Sequence, residues 1–264
     1  MKSVALCFCV VVTLGLCLVT GGPGNAQSFT SDVLDNQSVT LTDRNLIFLG
    51  HSTAFWDSSR KTERSARQLI QLGQQYGITR VATVARHMMK DPGLAGLHYF
   101  NQSDVNLVLE SRAGNHRLVL PNLKNIFFVG GNLNRCLCEG IRDAAIGFAE
   151  APGFESVNIY LVTDGIYASH PPFSPVKDPQ VASEFVERFF VPAFNCPLQN
   201  WGRAVDKRIE MPGVALKLFF QGEWLKTFDL EPGDTIPVEQ LKKTINVHFI
   251  TSDKVEMYLR DLPK

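Results

Sequence analysis

Cys136 is the residue of this chain whose surroundings best suit it to chemistry. It follows the run NIFFVGGNLNR and precedes an amphipathic segment, so it falls where a loop becomes a helix. The first N–H groups of a helix have no intrahelical partner, and the positive helix end favours an anion. A thiol at that place is therefore readily held as a thiolate nucleophile. The competing reading is a buried thiol kept as a small hydrophobe. Four other side chains have chemistry to offer. His51 follows the apolar run NLIFL and a glycine, and a Cys–His pair is a recognised nucleophile arrangement. It could equally be an ordinary loop histidine, because adjacent strand-end residues point to opposite sides. His87, Asp91 and His98 are of the types that bind zinc or iron, and surface loop histidines are the alternative.

These residues need elements to position them. Residues 126–129 are a short apolar run, consistent with a buried parallel strand, and Gly130 and Gly131 close it. Over 135–149 the spacing is helical, with Leu137, Ile141, Ala144, Ala145 and Phe148 on one side. Residues 157–162 form a second buried strand. Strand, glycine turn, helix and strand make the βαβ crossover of a parallel sheet.

The spacing of Gly130, Cys136, Asp143-Ala144 and Asp164 resembles the isochorismatase-like cysteine hydrolases, which include nicotinamidases and N-carbamoyl amidases. The resemblance implies a Rossmann-like three-layer α/β fold, a parallel sheet with helices on both faces. It implies that Cys136 attacks a small amide-type carbonyl. It also implies a cis peptide at Gly131–Asn132 and an oxyanion hole from the amides of Asn132 and Cys136. Asn134 and Arg135 make that pocket more polar than the family's usual small and apolar residues. Two family landmarks are altered. The first strand of the family ends in an aspartate that takes the cysteine proton; here Gly50 stands in that place, with Phe55 matching a later family position. His51 is then the stand-in base by proximity in sequence. A catalytic lysine usually follows the third strand; here Ser111 occupies its place and Arg112 follows, supplying charge without a tunable proton. The expected consequence is low or lost family activity. A catalytically silent relative, serving as a binding or assembly protein, is the second reading.

The rest of the chain frames this unit. Met1-Lys2, an apolar run to Val19 and small residues ending at Ala26 read as a secretory signal peptide over 1–26. That predicts a secreted or periplasmic protein with no membrane contact after cleavage. Cys138 and Cys196 remain beside Cys136 in the mature chain, and one disulfide with one free thiol or three buried thiols both fit. The α/β domain is expected over 27–205, and a small β-rich C-terminal extension over 206–264. That extension could extend the sheet, cover the pocket or make a subunit contact in a homo-oligomer. Strands are expected at 45–49, 79–85, 105–110, 214–220, 223–228, 244–250 and 254–259, helices at about 57–76 and 179–191, and one or two helical turns at 237–243; 28–43 is polar and loop-like, and 111–125 is short for the helix that the resemblance implies there. The 26 basic and 26 acidic residues cancel and no basic block stands out, which argues against nucleic acid as a partner. A small molecule is the expected ligand, with no organic cofactor; no phosphate loop or dinucleotide fingerprint is present. Asn36-Gln37-Ser38 and Asn101-Gln102-Ser103 fit the glycosylation pattern in a host that glycosylates.

Overall fold

A computed structural model describes residues 38–85, 87, 88, 91–110, 117–133, 137, 140, 141, 144, 148, 155–168, 176–187, 199, 200, 203, 204, 214–229 and 243–262. The signal segment, Arg112, Asn134, Cys136, Cys138 and Cys196 lie outside them, as do residues 237–242 of the expected helical stretch 237–243, whose last residue Lys243 is strand.

The elements in order are β1 (Ser38–Thr40), β2 (Asn45–Gly50), α1 (Glu63–Gln75), β3 (Thr79–Val84), α2 (Pro92–Ala95), a 3-10 turn (Gln102–Asp104), β4 (Leu107–Glu110), β5 (Arg117–Val119), β6 (Asn125–Gly130) and β7 (Ser156–Ile166). There follow α3 (Pro179–Phe185), β8 (Gln199–Asn200), β9 (Arg203–Ala204), β10 (Val214–Phe220), β11 (Glu223–Asp229), β12 (Lys243–Ile250) and α4 (Ser252–Arg260). Eight strands form one sheet in the order β11-β10-β12-β7-β6-β2-β3-β4. All neighbours pair in parallel except the edge hairpin of β10 and β11. The fold is α/β with three layers, and the strands of 206–264 extend the same sheet.

Strand periodicity explains the layers. Leu46, Phe48, Ile126, Phe128, Ile159 and Leu161 pack on one face, with Leu137, Ile141, Ala144 and Phe148 of the crossover helix and Phe185 of α3. Ile47, Leu49, Phe127, Val129 and Val162 pack on the other, with Ala66, Leu69 and Ile70 of α1 and Val255 and Leu259 of α4. Alternate residues point to opposite faces, and both faces are covered, so the central strands read as unbroken apolar runs. On the α1 face a row of rings crosses four strands: Phe127, Tyr160, His248 and Phe219 stack with centroids 4.4, 4.7 and 4.6 Å apart.

Several expectations need correction. Residues 254–259 are helix, not strand. The alternation of Val255, Met257 and Leu259 suggested period two, but Met257 is 53% exposed while Ser252, Val255 and Leu259 are buried on one helical face. The cap of α4 comes from afar: Asp164 accepts from Ser252 N (2.8 Å) and Ser252 Oγ (2.5 Å), and also from Ser65 Oγ of α1 (2.9 Å). The first helix begins at Glu63 rather than near residue 57. Asp57 instead is buried and folds a turn, accepting from Ser59 Oγ, Thr62 N and Oγ1, and Tyr99 Oη. The stretch 28–43, expected to be loop-like, supplies β1, which pairs in parallel with β5. The third strand starts at Leu107, because 102–104 close a 3-10 turn first.

Candidate functional site

The carboxyl ends of β2, β6 and β7 meet at the place where open α/β sheets form their crevice, and the turns there are packed backbone to backbone. Gly130 has φ +95°, and a Cβ there would lie 1.8 Å from the carbonyl oxygen of Gly50. Only glycine meets both demands. Gly131 N donates to Gly50 O (2.6 Å), joining the end of β2 to the turn after β6. The Gly131–Asn132 peptide is cis, the position the resemblance implies. Leu137 is helical, and its N–H donates to the Asn132 carbonyl (3.0 Å).

Gly50 is more than an absent carboxylate. A Cβ built on it would sit 2.9 Å from Cδ1 of Leu137, so the crossover helix occupies the space a side chain would need. The family's proton acceptor has no room without a shift of that leucine.

His51 has φ +44°, a left-handed conformation rare outside glycine. Its backbone is held on both sides: N donates to Thr83 O (3.2 Å) and Oγ1 (3.3 Å), and its carbonyl accepts from Tyr167 Oη (3.0 Å). The imidazole is 8% exposed, and its Nε2 has no partner among the described residues. Burial above all, then the nearby His98 and His87, lowers its pKa to about 4, so it is a neutral base at pH 7. Trp56 stacks on it at 6.4 Å.

The loop after β2 brings the other histidines close. Ala54 N donates to Leu97 O (2.8 Å), Tyr99 N donates to Ser52 O (2.9 Å), and Thr53 bridges His98. His98 is thereby buried beside Phe100, and burial lowers its pKa to about 4. His87 stays exposed at the end of β3, 5.6 Å from the Phe55 ring and 6.3 Å from that of Trp56. Phe55 and Trp56 are themselves 41% and 48% exposed, an aromatic lip over the histidines. Asp91 is exposed and accepts from Gly93 N (2.9 Å), capping α2. Among the described residues, no three of His, Cys, Asp and Glu converge as metal ligands.

The structure therefore brings His51, His87 and His98 together beside Phe55 and Trp56. Gly131 and Asn132 sit at the crevice, while Asn134, Cys136 and Arg112 fall outside the described residues. Three residues of the crevice escaped sequence reasoning. Ser52 is fully buried with an Oγ unpartnered among the described residues. Trp56 was signalled only by its place after Phe55. Tyr167 had no signal, because its value lies in contacts to 51, 130, 131 and 133 that only the folded sheet creates. The chain matches no protein-family model and no curated protein.

Proposed function

We propose that this protein is an exported, divergent relative of the isochorismatase-like cysteine hydrolases, with a pocket for a small amide-type carbonyl at the carboxyl end of the sheet and little turnover. The observation that carries the reading is the glycine turn after β6. It lies mid-sheet at the strand carboxyl ends, the place where open α/β sheets take ligands, and it leads within six residues of chain into helical Leu137. Cys136, with the amides of Asn132 and Cys136 for the oxyanion, supplies the attack in this reading.

Two observations support weak turnover. Gly50 has no side chain, so no carboxylate takes the thiol proton from there. His51 is neutral and its Nε2 has no partner among the described residues, but its ring is stacked by Trp56 and lies near His87 and His98. General acid–base help is worth about 10²–10⁴-fold, and the departing amine needs it. The second reading, a silent relative that binds without hydrolysing, rests on the same missing carboxylate at Gly50.

The test is a pair of measurements on the mature protein. Iodoacetamide should label Cys136 faster than Cys138 near neutral pH, while nicotinamide and N-carbamoyl amino acids are turned over slowly or not at all. Robust turnover that vanishes in Cys136→Ala would establish a working hydrolase, and His51→Ala would then tell whether His51 is its base. Equal, slow labelling of both thiols would remove the nucleophile and with it the functional reading.

A further inference from the structure

Tyr167, just past β7, contacts both the turn after β6 and the residue that follows β2. Its N–H donates to Gly130 O (3.0 Å), and its carbonyl accepts from Leu133 N (2.9 Å). Its ring lies flat against Gly131, where a Cβ would come within 2.5 Å of Cζ. Its hydroxyl donates to the carbonyl of His51 (3.0 Å). With the Gly131 N to Gly50 O bond, these contacts close a ring of backbone through the ends of β2, β6 and β7.

We propose that Tyr167 is a positioning residue, which clamps the turn after β6 to the end of β2 and keeps the His51 imidazole buried there. This rests on the functional reading above only in taking the crevice to be the site. The physical need is plain in His51. A non-glycine residue at φ +44° persists only when its surroundings over-determine it. Thr83 holds the N–H side and the Tyr167 hydroxyl holds the carbonyl side. Without the hydroxyl, the carbonyl loses its donor, the backbone relaxes toward the extended region, and the imidazole turns out toward water.

Histidine titration by NMR in the full mature chain reads this out directly. In the unsubstituted protein burial lowers the pKa of His51, His98 and His248 to about 4, so all three should titrate together at low pH. Tyr167→Phe keeps the ring on Gly131 and removes only the hydroxyl. It should raise the His51 titration by about one pH unit toward its ordinary value, leaving His98 and His248 in place. Tyr167→Ala should raise it further. Loosening of the whole fold would move all three histidines together. That result, or a His51 that stays near 4 in both variants, overturns the proposal. If Tyr167→Ala does not fold, Tyr167→Phe decides alone. Slow labelling of Cys136 in the unsubstituted protein would sink the functional reading without altering the His51 result, so the two failures are separable.

Discussion

The two ends of the same sheet are built on opposite terms. At the amino end, Asn45, Asn125, Asn158 and Asn246 stand side by side on β2, β6, β7 and β12. Each passes a side-chain N–H to the next: Asn125 to Asn45 (2.8 Å), Asn158 to Asn125 (2.9 Å) and Asn246 to Asn158 (2.9 Å). At the carboxyl end of these strands, Nε2 of His51 and Oγ of Ser52 are buried without partners among the described residues. A buried polar atom left unpaired costs about 1–3 kcal/mol. One end thus meets its polar obligations internally, and the other carries them unmet next to glycine turns and an exposed aromatic pair. A ligand could discharge that cost at the carboxyl end; the amino end has nothing to offer one.

The contrast can be broken most forcibly at Gly130. Gly130→Ala places a Cβ 1.8 Å from the Gly50 carbonyl in a backbone conformation of φ +95°. We expect a loss above about 4 kcal/mol, read as failure to recover soluble protein or a collapsed denaturant midpoint. A variant that folds with near-normal stability would mean that the turns are not packed as described.

Acid should weaken the fold next. His51, His98 and His248 have folded pKa values lowered to about 4 by burial, against an ordinary 6.5. A histidine buried neutral leaves stability intact above its unfolded pKa. As pH falls from 6.5 toward 4, the unfolded chain takes up protons that the folded chain refuses, and stability drains. Each of these histidines contributes up to about 3 kcal/mol to that loss, the half-buried His248 less than the other two. Urea midpoints measured across this range should fall steeply. His51→Phe should flatten part of the slope, and an unchanged slope would mean that His51 is not buried neutral.

Within the asparagine row, Asn125→Ala removes one donor and one acceptor at a site 5% exposed. The Asn158 amide is left facing a gap. The expected cost is about 2–3 kcal/mol, seen as a lower thermal or urea midpoint. A neutral result would show that water replaces the row freely and that the two ends do not differ as argued.

How far the sequence foretold these two ends differs in kind. The central strands were legible, because burial on both faces makes β2, β6 and β7 continuous apolar runs. The glycine turn and crossover helix were legible as well, since Leu137, Ile141, Ala144 and Phe148 keep helical spacing. The α4 helix was not, because its cap is Asp164, far away in sequence, and its short segment alternates enough to pass for a strand. The asparagine row could not be seen, because four separated asparagines become neighbours only once strand register is known. His51 was visible as a candidate, but not its burial, its left-handed backbone or its facing His98. Those follow from the pairing of 52–54 with 97–99, which no local pattern announces.

The smallest effect is the most discriminating. Ser52 is fully buried, yet its hydroxyl has no partner among the described residues, so Ser52→Ala removes no hydrogen bond within them. It deletes a buried polar atom already bearing its desolvation cost. The replacement should be neutral or stabilising by up to about 1 kcal/mol. Set beside Asn125→Ala, the two side chains are similarly buried, and only the state of their partners separates them. If Ser52→Ala instead costs as much as Asn125→Ala, then Ser52 is satisfied by ordered water or an undescribed group, and the carboxyl end is as self-sufficient as the amino end. If Ser52→Ala is stabilising, the serine is being kept at a cost to the fold. A binding role for the crevice then becomes the direct explanation, and equilibrium unfolding of the two single variants under one buffer decides between these outcomes.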